Sequence, residues 1–156
     1  MSARLTPPRR LVVIGVGHRD RSDDGIGPAV VDALGQQFDE VIPIVREGDL
    51  AVLPMLWELD DDVVIVDVVV SSGAVGQLRE IDPDHLVTGD GMSTHGLNVA
   101  DGIQLARRLD CLPATLRVFG IGGQNFGYGT ISRELCERLD PLTEELAALI
   151  GLSVAG

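Results

Sequence analysis

Asp24, Asp67 and His95 are the residues of this chain whose types and surroundings suit a reactive site. Asp67 interrupts Val63-Val-Ile-Val-Asp-Val-Val-Val70, an otherwise aliphatic run. A carboxylate there is costly to bury unless a cation or hydrogen-bond donors meet it. The plainer alternative is an Asp at a strand end, bonded to the amides of the following turn. Asp24 follows Asp23 in a polar stretch ahead of a helical pattern. An Asp in that place commonly caps the helix, and the helix dipole favours an anion there. The same dipole opposes a cation, so holding a metal requires several carboxylates. His95 lies in Gly89-Asp-Gly-Met-Ser-Thr-His-Gly96, read as a loop just before a helix. Alone it is an ordinary loop histidine. Brought together, two carboxylates and an imidazole form an incomplete coordination shell. Zinc, nickel and manganese all accept such ligands. An open position suits hydrolysis, because a metal polarises a carbonyl or lowers the pKa of its water.

Whether the three residues converge depends on the elements that carry them. Leu11-Val-Val-Ile-Gly-Val-Gly17 reads as a buried parallel strand. A helix follows, with Pro28 early in it, apolar residues at Ile26, Ala29, Val30, Ala33 and Leu34, and Gly35 near its end. Val41–Val45 is a second strand, and Leu50–Leu59 a second helix with Pro54 near its start. Val63–Val70, apolar on both faces, is the central strand. Gly76–Ile81 is a shorter strand expected to form an antiparallel hairpin with it. Asn98 and Asp101 read as a capping box for a helix with Leu97, Ala100, Ile103, Ala106 and Leu109 along one side. Thr115–Ile121 is the last strand. Ser132 caps a final helix, which Asp140-Pro141 breaks or restarts. Helices alternating with apolar strands predict an α/β fold: a three-layer α/β/α sandwich on a mostly parallel, about five-stranded sheet. One domain is expected over residues 1–156, with 1–10 flexible. Sites in such sheets form beyond the carboxyl ends of the strands, which is where Asp24, Asp67 and His95 fall.

Composition narrows the function. The chain has 156 residues, 45% of them hydrophobic, enough for a core. Only 3% are aromatic, so the core must be aliphatic. With a net charge of −12 and no basic patch in the sequence, the chain is expected to repel nucleic acids and anionic membranes. Acidity of this kind usually serves only to keep a protein dispersed. Cys111 and Cys136 form no CxxC pattern, and Cys136 falls in a helical stretch where a buried thiol acts as a small apolar group. A reducing cytoplasm is therefore expected. The first ten residues hold three arginines and no apolar run, unlike a signal peptide. No run is long enough to span a bilayer.

Other motifs read poorly. Gly15-Val-Gly17 begins like a dinucleotide fingerprint, but Asp20 stands where the third glycine belongs. Asp20, Asp23 and Asp24 would repel a pyrophosphate. Ser93 and His95 are near neighbours, but no strained turn presents the serine. His18 is a candidate supporting group at the same sheet edge, and His85 reads as merely exposed.

Taken in order, Gly15-Val-Gly17 with Asp23-Asp24-Gly25-Ile26-Gly27, then Val64-Ile-Val-Asp67, then Ser93-Thr-His95-Gly-Leu97 resemble the motifs of the nickel–iron hydrogenase maturation endopeptidases. The closing stretch from Val118-Phe-Gly-Ile121 to Ser132 matches as well, and the resemblance runs from about Leu11 to Leu149. It implies an endopeptidase that removes a C-terminal tail from the precursor of the hydrogenase large subunit after nickel insertion. It also implies that Asp24, Asp67 and His95 engage nickel supplied by the substrate, which serves as a checkpoint. Asp24 stands where the family often has Glu. His18 replaces the usual Asn, and Gly122-Gly-Gln-Asn-Phe-Gly-Tyr-Gly129 replaces a frequent Gln-Pro pair. That glycine-rich loop is expected to be mobile and to influence which precursor is accepted. A monomer is expected. Two alternatives remain open on the residues: a non-catalytic, nickel-sensing chaperone of the precursor, and another small hydrolase holding its own zinc or manganese.

Overall fold

The structure is a computed structural model that describes residues 9–48, 50–70, 75–85 and 94–152. Side chains of 85 and 94–98 lie outside the description, and so do the expectations for Ser93, for the exposure of His85 and for the flexibility of residues 1–8.

Five strands form one sheet in the order β2-β1-β3-β5-β4. They are β1 (Leu11–Val16), β2 (Val41–Arg46), β3 (Asp62–Val70), β4 (Leu78–Ile81) and β5 (Thr115–Gly123). The first, second, third and fifth pair in parallel. β3 is central, as its run of buried residues predicts. β4 is antiparallel, as expected, but its partner is β5 and not β3. Both flanks of β3 are taken by parallel neighbours, β1 and β5, which leaves the short polar strand to the sheet's edge.

Strand alternation sends side chains to two layers. Val13, Val64, Val66, Val68, Phe119 and Ile121 pack with α1 (Ile26–Gln37) and α4 (Leu139–Leu149). Val12, Ile14, Val16, Val63, Ile65 and Val118 pack with α2 (Thr94–Arg108) and the turn Leu50–Met55. The result is an α/β/α sandwich with aliphatic cores on both faces of the sheet.

Several local expectations are corrected. The segment after β2 is a 3-10 turn over Leu50–Met55 and not a longer helix, because Pro54 inside it cannot donate a helical hydrogen bond. α2 starts at Thr94, so Asn98 and Asp101 lie inside it and do not cap it. His95 is thus the second helical residue and not part of a loop. Val99, Ala100, Ile103 and Ala106 form its buried stripe, while Leu109 falls beyond the helix end and is exposed. Ser132 caps a short α3 (Arg133–Cys136), accepting from the Leu135 N–H at 3.4 Å. The chain restarts as α4 at Leu139, before Asp140-Pro141. Cys136 is exposed in α3 and does not fill a core position.

At the amino ends of the strands, Asp61 is buried and receives both the Arg10 Nε at 2.8 Å and Nη2 at 2.6 Å. It also accepts the Glu58 N–H at 2.8 Å. The Arg10 hydrogen bonds hold the Asp61 carboxyl below its ordinary range, against the opposing effect of burial. Stability that arises this way is complete above the ordinary carboxylate range. It is lost as pH falls through the lowered folded value. Asp61→Asn is expected to lower the urea midpoint at pH 7. The gap from the parent should narrow as the pH is taken below the carboxylate range, and a gap unchanged by pH would refute this role.

Candidate active site

Asp24 is positioned by a sequence of close backbone approaches. β1 ends at Val16, and Gly17 turns the chain with φ +145°. A Cβ at Gly17 would lie 2.0 Å from the Asp24 carbonyl oxygen and 3.1 Å from its Oδ1, so only glycine fits there. A 3-10 turn, Ser22–Gly25, then carries both acids into α1. Gly27 lies so near the sheet that a Cβ would meet Val66 O at 2.7 Å and Val16 O at 2.9 Å. The first turn of α1 is thereby seated on the ends of β1 and β3, against the residue that precedes Asp67.

Both predicted acids are buried: Asp24 is 1% exposed and Asp67 4%. Asp24 does not cap α1, which has no side-chain cap at its N-terminus. Its Oδ2 accepts the backbone N–H of His18 at 2.7 Å. That contact comes from the main chain and does not use the imidazole, whose Nδ1 lies 3.8 Å from Glu47 Oε2. Asp67 lies within β3, not at its end, since the strand continues to Val70. Its Oδ1 accepts the N–H of Val68 at 2.8 Å. Alternation with Val63 and Ile65 assigns Asp67 to the α2 face, and its register partner on β5 is Gly120. Position 95 is four residues before Val99, in phase with the stripe that α2 lays on the same face. Backbone topology thus directs Asp24, Asp67 and the start of α2 to one end of the sheet. The side chain of His95 lies outside the described residues. Among the described residues, no three His, Cys, Asp or Glu form a group that could hold a metal.

Asp23, which sequence reasoning treated only as a neighbour of Asp24, organises the edge. Its Oδ2 accepts the N–H groups of Gln124 and Asn125, each at 3.0 Å, and its Oδ1 that of Ser132 at 3.0 Å. Burial pushes the Asp23 carboxyl up, but these hydrogen bonds outweigh it and leave the carboxyl below its ordinary range. The backbone adds Asp23 N–H to Asn125 O, Ser22 N–H to Gly129 O and Gly129 N–H to Asp20 O, each at 2.8 Å. The glycine-rich loop after β5 is at the predicted edge, and these bonds tie it to the acid turn. The partners lie 101 to 109 residues away in sequence, so no local pattern signals them. The adjacency of two acids at a helix entrance was the available hint.

This is an α/β/α protein with two buried carboxylates at the carboxyl ends of adjacent parallel strands, a place where such sheets build sites. A model of the hydrogenase maturation protease family matches residues 29–149. The chain belongs to that family. It is 29% identical over 121 residues to the hydrogenase 2 maturation protease of Escherichia coli (strain K12), which covers 72% of each chain. Its fold matches the hydrogenase maturating endopeptidase HybD from E. coli with a TM-score of 0.71, at 21% identity, over 91% of this chain and 92% of that one. It likewise matches the nickel–iron hydrogenase maturation protease HycI from Thermococcus kodakarensis KOD1. There the TM-score is 0.67 and the identity 24%, over 91% and 92% of the two chains.

Replacing Asp23 removes the acceptor of three amides at once. Asp23→Ala is expected to cost about 1–3 kcal/mol of unfolding free energy, read from urea denaturation. A loss within error of zero would show that water replaces the carboxylate freely.

Proposed function

We propose that this protein is an endopeptidase that removes the C-terminal tail of a nickel–iron hydrogenase large-subunit precursor once nickel has been inserted. The observation that carries the reading is the pair of buried acids, Asp24 and Asp67, at the ends of neighbouring strands in a chain of the hydrogenase maturation protease family. Each accepts a backbone N–H, and carboxylate oxygens held in a dry place attract a cation brought by the substrate more strongly than they would in water.

In this reading Asp24, Asp67 and His95 engage nickel that belongs to the precursor. Two oxygens and one imidazole nitrogen suit nickel, and they equally suit zinc or manganese. The engagement orients the precursor so that its scissile amide lies at the sheet edge. A water molecule adds to the amide carbonyl while a carboxylate takes its proton. The C–N bond then breaks, the new amine takes up a proton, and the tail leaves. An empty precursor offers no metal to engage, so it is not positioned and not cut. Among the described residues no helix is long and apolar enough to cross a membrane. We place the reaction in the cytoplasm, carried out by a monomer on a larger folded partner.

The test is the mass of a purified large-subunit precursor incubated with the full-length protein, with and without nickel. The nickel-loaded precursor should lose its tail and the nickel-free one should not. Asp24→Asn, Asp67→Asn and His95→Ala should each reduce the rate at least ~100-fold, the scale seen when a group acting directly on the reaction is removed. Tight binding without a change in mass would replace this reading with a nickel-sensing chaperone. Cutting that ignores nickel would remove the checkpoint.

A further inference from the structure

Two exposed side chains stand at the rim of this edge without a part in the reading above. Arg21 is exposed, three residues before Asp24, and the Asp24 N–H donates to its carbonyl at 3.0 Å. Tyr128 is 87% exposed in a chain with one tyrosine. The Arg21 guanidinium lies over the Tyr128 ring, 5.3 Å from its centroid. We infer that Arg21 and Tyr128 form a preformed contact for the substrate, taking a carboxylate side chain of the precursor beside its scissile segment. This rests on the proposed function and names the surface by which that partner is recognised.

Three observations support it. First, the pair is held by its backbone. Arg21 and Gly129 form a parallel bridge, and Ser22 and Gly129 hydrogen-bond across the two loops. Gly129 has φ +138°, a conformation that L side chains rarely adopt. The bridge sets the two residues side by side, and Arg and Tyr are types enriched at binding hot spots.

Second, Arg21 keeps its charge available. Asp20, Asp23 and Asp24 are all within three positions, yet Arg21 makes no ion pair among the described residues. Asp23 is occupied by three amides, and Asp24 turns inward to the His18 N–H. By contrast Arg10, Arg19 and Arg117 each meet a carboxylate at 2.6–2.7 Å. Stacking on a ring leaves the guanidinium edge free for a bidentate carboxylate.

Third, charge complementarity selects the partner. An exposed guanidinium with no ion pair among the described residues is matched by an anionic group, and its planar fork fits a carboxylate. An exposed aromatic beside it supplies apolar contact to the same segment.

The test is equilibrium binding of the nickel-loaded precursor by the full-length protein and its Arg21→Gln, Tyr128→Ala and Tyr128→Phe variants, with thermal midpoints recorded alongside. Both sites are exposed, so the midpoints should stay with the parent. Arg21→Gln and Tyr128→Ala should each weaken Kd by about 10-fold, the loss of one tenfold step in affinity. Tyr128→Phe should recover the binding that Tyr128→Ala loses, because the ring is restored. Raising ionic strength should weaken parent binding more steeply than that of Arg21→Gln. Equal Kd values, or equal salt slopes for parent and Arg21→Gln, would overturn the inference. A parent that binds but does not cut would refute the endopeptidase reading while still deciding this one. A parent that neither binds nor cuts would refute both.

Discussion

One carboxylate holds together two loops that leave the sheet from strands that are not neighbours. Asp23 sits in the turn after β1, and the amides it binds belong to the segment after β5. β3 lies between those strands, so the clamp closes over the end of the strand that bears Asp67. The packing shows how little room is left: a Cβ at Gly123 would meet Val68 Cγ2 at 2.7 Å and Asp23 Cβ at 3.0 Å. The lowered pKa of Asp23 means that its charged form is the one the fold selects, since only the anion accepts from all three amides. Charge on Asp23 is thus structural.

The acids are held by glycine as much as by hydrogen bonds. Gly17 and Gly27 bracket Asp24, each at a spot where a Cβ would strike a backbone oxygen. Asp67 is flanked across the sheet by Gly120. Backbone therefore replaces side chains around both carboxylates, and their position is set by the sheet itself. Sites built on such rigid elements keep their geometry better than sites on free loops. The same rigidity extends to the rim, where Arg21 and Tyr128 are displayed by a bridge between the two loops.

Much of the fold was legible because the strands are long aliphatic runs and the helices alternate with them. The central place of β3 followed from its burial on both faces. The partner of β4 was misread because strand pairing is non-local, and a short polar segment after β3 looks like half of a hairpin whichever strand it joins. The start of α2 was misread because Asn98 and Asp101 resemble a cap wherever they stand. A capping pattern does not say whether a helix has already begun. Asp67 was singled out by the cost of burying a carboxylate in an aliphatic run, and Asp24 by its place between the first strand and the first helix, both local arguments. The role of Asp23 was not found, since its partners at Gln124, Asn125 and Ser132 are adjacent only after folding. The availability of Arg21 follows from that same long-range arrangement.

The central claim is that these acids engage a metal carried by the substrate. X-ray absorption at the nickel of a loaded large-subunit precursor, recorded before and after the full-length protein is added, tests it most directly. The account predicts that oxygen and nitrogen ligands join the nickel when the complex forms, and that they do not with an Asp24→Asn, Asp67→Asn double variant. A nickel spectrum unchanged in a complex shown to have formed would contradict it.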